Sequence, residues 1–274
     1  MSALEAIVLG LLQGVTEFLP ISSTAHLLFV PEFLGWGDPG AAFSAVTQVG
    51  TLAAVVIYFR HEVVRITVAW TRSLTDESAR SDPDARLGWY IAIGTVPILV
   101  FGAIFADQVE TAARSLSLVA WTMIALGLLL LVAERVARHR RPMSSLGRRD
   151  AVLIGLAQAT ALVPGVSRSG ATLTAGLFLD FKREAAARYS FLLSIPSVFA
   201  SGAYEFYSLI NDSTAIDVGL GPLLLGTAVA FVAGYATIGW LLSFLQTHTT
   251  LLFVAYRVGL GALVLALLAT GAIG

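Results

Sequence analysis

Cysteine is absent from the sequence, lysine occurs once against sixteen arginines, and charged residues make up only 13% of the chain. Without cysteine there are no disulfides, thiolate metal sites or cysteine nucleophiles, and the redox compartment stays open. The scarcity of charge excludes an ordinary soluble domain, in which roughly 25% of residues are charged. What fills the sequence instead is apolar: 57% of its 274 residues are hydrophobic, and the mean hydropathy is +0.81. So much apolar surface needs lipid as its solvent. The formal net charge is −1 and no basic patch stands out, so no nucleic-acid partner is expected. The stretch Met1-Ser2-Ala3-Leu4-Glu5 lacks a basic region, so no cleaved secretory signal is expected either.

Six segments reach the roughly 20 apolar residues needed to cross a bilayer. They run approximately 41–59, 88–106, 116–134, 188–208, 221–245 and 251–272. Two more, approximately 4–34 and 151–180, are apolar but carry proline, serine and threonine midway. These read as re-entrant helix–break–helix hairpins, because irregular backbone at membrane depth survives only inside protein or beside an aqueous cavity. The predicted fold is an all-α polytopic membrane protein, a single domain over 1–274, with six full transmembrane helices and two re-entrant hairpins. The basic residues fit this layout. Fourteen of the seventeen Lys/Arg lie in three loops, near 60–86, 135–149 and 182–188. These share one face only if both broken segments return to the side they entered. The positive-inside rule makes that face cytoplasmic in a plasma-membrane, multi-pass protein.

The two halves resemble each other weakly. Gly10-Leu11-Leu12-Gln13 matches Gly155-Leu156-Ala157-Gln158, and Pro20-Ile21-Ser22-Ser23 matches Pro164-Gly165-Val166-Ser167 after a one-residue slip. Phe43-Ser44 matches Tyr189-Ser190, and Gly94-Thr95 matches Gly226-Thr227. One hairpin followed by three spans is an odd number of crossings, so the second copy must insert upside down. Inverted repeats, approximately 1–140 and 145–274, are predicted. They bring two broken hairpins together near the midplane, where binding sites form.

The hairpins carry the chemistry. In the first, Gln13 and Glu17 share a helix face, Pro20 breaks the helix, Ser22, Ser23 and Thr24 suit a new N-terminus, and His26 falls in its first turn. An acid and an imidazole in an apolar hairpin are costly to bury, so function is the default reading. The bland alternative pairs Glu17 with a buried arginine and lets His26 satisfy a carbonyl. In the second hairpin, Pro164-Gly165-Val166-Ser167-Arg168-Ser169-Gly170-Ala171-Thr172 combines glycines, hydroxyls and a guanidinium. Glycine lets backbone approach a ligand, the guanidinium fork fits phosphate oxygens, and a half-helix N-terminus favours anions. Here the bland alternative is a capped turn whose arginine neutralises Glu17.

Gln13–His26 resembles the (E/Q)xxxE…SSTxH signature of the undecaprenyl-pyrophosphate phosphatase (bacitracin-resistance) family, and Pro164–Thr172 matches its PGxSRSGxT signature at every specified position. The resemblance extends over the whole chain. It implies an integral membrane enzyme with two inverted hairpins and metal-dependent removal of the terminal phosphate from a C55 polyprenyl diphosphate. It also implies recycling of the carrier lipid for cell-wall synthesis, with the active site open to the outer face. Two departures matter: Gln13 stands where many members have glutamate, and Ala25 where glycine usually precedes the histidine.

On this reading Glu17 holds Mg²⁺ or Ca²⁺ with substrate phosphate oxygens, and Gln13 adds a carbonyl ligand or a hydrogen bond. Gln48 is a supporting metal-site group by resemblance; alone, such a glutamine more often bonds a neighbouring helix. Arg168, Ser167, Ser169, Gly170, Thr172 and Ser22 bind the phosphates. Ser23 with His26 as base at i, i+3 is the first choice of nucleophile, with His26 itself or a water as alternatives. Glu62, Asp76, Glu77, Asp82 and Asp84 balance arginines in a solvated loop, and Glu134, Asp150 and Asp180 sit at segment ends. Arg257, deep in its helix, snorkels or pairs. Trp36, Trp89, Trp121 and Tyr207 suit interfacial anchors. A transporter or flippase for lipid phosphates or other anions shares the architecture and the use of Arg168, but needs no nucleophile. A homodimer is compatible with all of this.

Overall fold

The computed structural model describes residues 1–37, 40–105, 108, 115–211 and 219–273, with backbone alone at 41, 42 and 205–211. Arg114 and the side chains of Glu205 and Tyr207 therefore lie outside the described residues. The helices are α1 (Ala3–Phe18), α2 (Ser23–Leu34), α3 (Gly40–Tyr58), α4 (Arg60–Thr75), α5 (Pro83–Ile104), α6 (Leu116–Val136), α7 (Arg148–Ala159), α8 (Arg168–Phe178), α9 (Arg183–Asn211), α10 (Leu220–Thr247) and α11 (Leu251–Ala269). Among the described residues there is no β-strand, only one isolated bridge between Arg141 and Phe181. Four helices, α5, α6, α10 and α11, are long and apolar enough to cross a bilayer. The chain is a multi-pass membrane protein.

Both interrupted segments break where the sequence predicts. α1 starts on a capping box in which Ser2 and Glu5 each bond the other's backbone. It stops because Leu19 precedes Pro20 and is held extended, at φ −69° and ψ 144°. α7 tightens into a 3-10 turn over Thr160–Leu162, and Val163 is extended before Pro164. α2 and α8 then restart the helix on Ser22 and Ser167.

One sequence expectation is corrected. The 60–86 stretch is not merely a solvated loop: α4 lies along α5 and buries Ile66 and Ser73. Gly88 makes the crossing close, since a Cβ there would lie 2.7 Å from the Trp70 Cβ. Dense charge on the outer face hides this packed face in the sequence. The charges themselves pair as expected, Arg65 with Asp84 at 2.5 Å and Arg80 with Glu77 at 2.9 Å. Trp89 and Trp121 are exposed.

The core is organised by two glycine crossings. α1 packs on α10, where a Cβ on Gly10 would fall 2.4 Å from Gly226 O. α7 packs on α5, where a Cβ on Gly155 would fall 2.5 Å from Gly94 O. Phe43 lies over Gly226, and the Tyr189 hydroxyl lies over Gly94.

Ion pairs gather the three basic loops at one end of the molecule. Arg188 bonds Glu62, and Arg183 bonds Glu134. Glu134 also accepts from the Thr250 hydroxyl at 2.8 Å. Arg141 forks onto Asp150 at 2.6 and 3.0 Å, a bond that raises this guanidinium above its ordinary pKa. Arg138 N donates to Asp180 at 2.7 Å. Glu134, Asp150 and Asp180 thus do more than mark segment ends; they tie α6, α7 and α9 together.

Candidate active site

The two breaks share a backbone geometry that ordinary residues rarely adopt. Ser22 sits at φ 75° and ψ 104°, and Ser167 at φ 71° and ψ 114°. Such positive-φ positions cost about 1–3 kcal/mol each and persist only where surrounding structure holds them. Each serine caps its own half-helix: Ser22 Oγ accepts from Ala25 N and Ser167 Oγ from Gly170 N. Gly165, at φ +87°, lets the second break lie directly on α6, where a Cβ would strike Thr122 Oγ1 at 2.1 Å.

These turns bring the acid and the guanidinium together. Glu17 Oε1 lies 2.5 Å from Arg168 NH2. Its Oε2 accepts from Gln13 Nε2 at 3.0 Å and from Ser23 Oγ at 2.7 Å. Arg168 also reaches Ser197 Oγ at 3.4 Å and Ser194 O at 3.5 Å on α9. Ser169 crosses to the other break, donating to Leu19 O at 2.8 Å, and lies 3.2 Å from Ser167 Oγ. Gly170 packs under the Ser167 side chain. The Thr172 hydroxyl is engaged by Arg168 O and by Ser190 Oγ at 2.5 Å, bracing α8 against α9.

The Ser23–His26 hydrogen bond suggested by the i, i+3 spacing is not made. Ser23 turns to Glu17, the stronger acceptor, and His26 is held elsewhere. Its Nδ1 is 2.7 Å from Ser22 O, and its Nε2 is 2.7 Å from the Tyr256 hydroxyl.

Arg257 neither snorkels nor pairs with an acid. It is buried to 1% exposure and donates to four main-chain carbonyls: Met123, Pro20, Gly165 and Val166. One guanidinium therefore fastens both breaks to α6 and α11. Sequence reading missed Tyr256, Ser194 and Ser197, which carry no motif; Arg257 had only its charge in an apolar helix as a signal.

No group of three or more His, Cys, Asp or Glu forms a ready metal cage among the described residues. A lone carboxylate can hold a hard cation where phosphate supplies most of the other ligands. Glu17 offers a carboxylate, and Gln48 Oε1, on α3 beside α1, is buried without a hydrogen-bond partner. A buried acceptor left orphaned in this way calls for a cation or a donor.

Arranged like this, the breaks bring an acid, a hydroxyl and a guanidinium together inside an apolar bundle, with the imidazole one turn along α2 from the hydroxyl. The chain is 50% identical to undecaprenyl-diphosphatase 2 of Streptomyces coelicolor, over 99% of this chain and 96% of that protein. It is 52% identical to the undecaprenyl-diphosphatase of Paenarthrobacter aurescens over 95% of both chains. It is also 52% identical to that of a Nocardioides species over 98% of both. Residues 6–263 match the family described as bacitracin resistance protein BacA, and with nearly the whole chain covered, the protein belongs to that family.

Proposed function

We propose that this protein is an undecaprenyl-diphosphatase. It is a membrane hydrolase that cuts the anhydride of undecaprenyl diphosphate, releasing inorganic phosphate and the monophosphate for reuse in cell-wall or glycan synthesis. The single observation that carries the reading is the 2.5 Å contact between Glu17 and Arg168, which joins two distant motifs into one site with Ser23 attached.

The terminal phosphate binds Arg168 and the N-terminus of α8, whose dipole and free N–H groups favour an anion. Ser169 and Arg257 keep the two breaks in register by their bonds to Leu19 O and Pro20 O. A divalent cation, Mg²⁺ or Ca²⁺, held by Glu17, Gln13 and the unpaired Gln48 Oε1, would supply positive charge to the diphosphate oxygens. Ser23 Oγ bonds to the terminal phosphorus as that atom's bond to the bridging oxygen breaks, and the electron pair leaves with undecaprenyl monophosphate. The Ser23 proton passes to Glu17 Oε2, 2.7 Å away. Water then attacks the phosphoserine, gives a proton to His26 Nε2, and Ser23 recovers its own from Glu17 as phosphate departs. Arg168 stabilises the charge on the transferred group in both steps.

We infer the topology as well. α3, α5, α6, α9, α10 and α11 are six spans, and α1/α2 and α7/α8 are re-entrant hairpins of two inverted repeats. The basic end is cytoplasmic and the site opens to the outer face. Support comes from the reciprocal crossings of Gly10 on Gly226 and Gly155 on Gly94, and from the matched φ/ψ of Ser22 and Ser167. Detergent-purified protein is expected to release phosphate from prenyl diphosphates, with EDTA and Arg168→Ala each abolishing release. Tight binding with no phosphate release would overturn the enzyme reading in favour of transport.

A further inference from the structure

His26 is held at both ring nitrogens, and the two partners fix its protonation. Nδ1 lies 2.7 Å from Ser22 O, a carbonyl that only accepts, so Nδ1 carries the hydrogen. The neutral ring then has its lone pair on Nε2, and the Tyr256 hydroxyl 2.7 Å away donates to it. The two rings stack, with centroids 5.5 Å apart and 7° between their planes. Tyr256 precedes Arg257 on α11, so the clamp that anchors both breaks also sets the position of this phenol. Among the described residues His26 is the only hydrogen-bond partner of the Tyr256 hydroxyl. Packing alone would be met by phenylalanine; the hydroxyl answers to the imidazole.

We propose that Tyr256 is a positioning residue for the phosphatase reaction. It locks His26 in the Nδ1–H tautomer and keeps the Nε2 lone pair oriented for proton uptake. The proposal rests on the reading of His26 as the base for the attacking water. In the resting site the phenol donates to Nε2. When Nε2 has taken the proton, the polarity inverts: Nε2–H donates to the phenolic oxygen, and the phenolic hydrogen turns to water on the exposed side of the ring. The Nε2–H bond forms as an O–H bond of the attacking water breaks, and the imidazolium keeps a partner at each N–H. Phenol can both donate and accept, which this exchange requires.

Tyr256→Phe keeps the ring stack and removes only the hydroxyl. Its kcat for phosphate release from a prenyl diphosphate is expected to fall about tenfold, the effect of one lost hydrogen bond, with KM within about twofold of wild type. Histidine-selective ¹⁵N labelling, assigned with His26→Asn, reads the ring directly. In wild type, His26 is expected to have a protonated Nδ1 and a hydrogen-bonded, unprotonated Nε2, whose resonance moves in Y256F. A folded Y256F protein with wild-type kcat overturns the proposal, as does an unmoved Nε2 resonance. Should Y256F fail to fold, the wild-type spectrum decides: an Nε2–H tautomer for His26 overturns it. Absence of phosphate release by wild type instead defeats the phosphatase reading and the positioning role with it, while the ¹⁵N spectrum still decides the tautomer.

Discussion

Glu17 gathers three donors from three places: Gln13 one turn before it, Ser23 across the first break, and Arg168 from the other half of the chain. These bonds fix the carboxylate and the hydroxyl beside it. Arg168 bridges from Glu17 to Ser194 and Ser197, a span that needs a fork and not a point charge. Arg168→Lys should therefore keep the positive charge yet lower kcat by about a hundredfold, the usual cost of one misplaced transition-state donor. Steady-state phosphate release checks this, and a lysine variant at wild-type kcat would refute the fork's role. Gln13 gives the opposite test. Gln13→Glu removes the amide donor and sets a second carboxylate one turn from Glu17, repulsive without a cation and attractive around one. The variant should need a lower Mg²⁺ or Ca²⁺ concentration for half-maximal activity, read from a metal titration after EDTA treatment.

At the level of helices, glycine decides how near the hairpins come to the spans that hold them. Gly155→Ala would drive a methyl into Gly94 O, and backbone cannot swing aside as a long side chain can. Destabilisation of about 1–3 kcal/mol is expected, visible as earlier unfolding on heating in detergent. Gly259→Ala, with nothing within 4 Å of its Cβ, should be neutral or stabilising by up to about 1 kcal/mol through helix propensity. Equal melting of both variants would mean that the α5–α7 crossing is not tight. The breaks were legible because Pro20 and Pro164 cannot extend a helix and the serines after them can start one. α4 was not, because charges on one face outweigh Ile66 and Ser73 on the other. The Glu17–Arg168 contact could be expected from charge alone, as two costly ions in apolar segments seek each other. Arg257 found carbonyls instead, and carbonyls leave no mark on a sequence. The Ser23–His26 spacing was read correctly as helical adjacency, but adjacency does not choose partners: Glu17 and Tyr256 offered better ones.

For the molecule as a whole, the proposed inverted arrangement makes a claim about sides. α7 and α8 enter from the end where Arg141, Asp150 and Lys182 meet, since Lys182 N bonds Arg141 O at 2.9 Å. The loops before and after that hairpin therefore lie side by side, and the hairpin returns to the end it left. Arg188 with Glu62 brings the α3–α4 corner to the same end. An excess of arginine retained on one side is the signature of a cytoplasmic face. Because the chain has no cysteine, each introduced one reports alone. Ser81→Cys, Ser144→Cys and Lys182→Cys should resist a membrane-impermeant maleimide in intact cells and react after permeabilisation. Ser117→Cys and Gly221→Cys, at exposed positions on the other ends of α6 and α10, should react without it. Labelling of Ser144→Cys and Lys182→Cys from opposite sides would mean that the second broken segment crosses the bilayer, and the two breaks would then no longer approach from opposite faces.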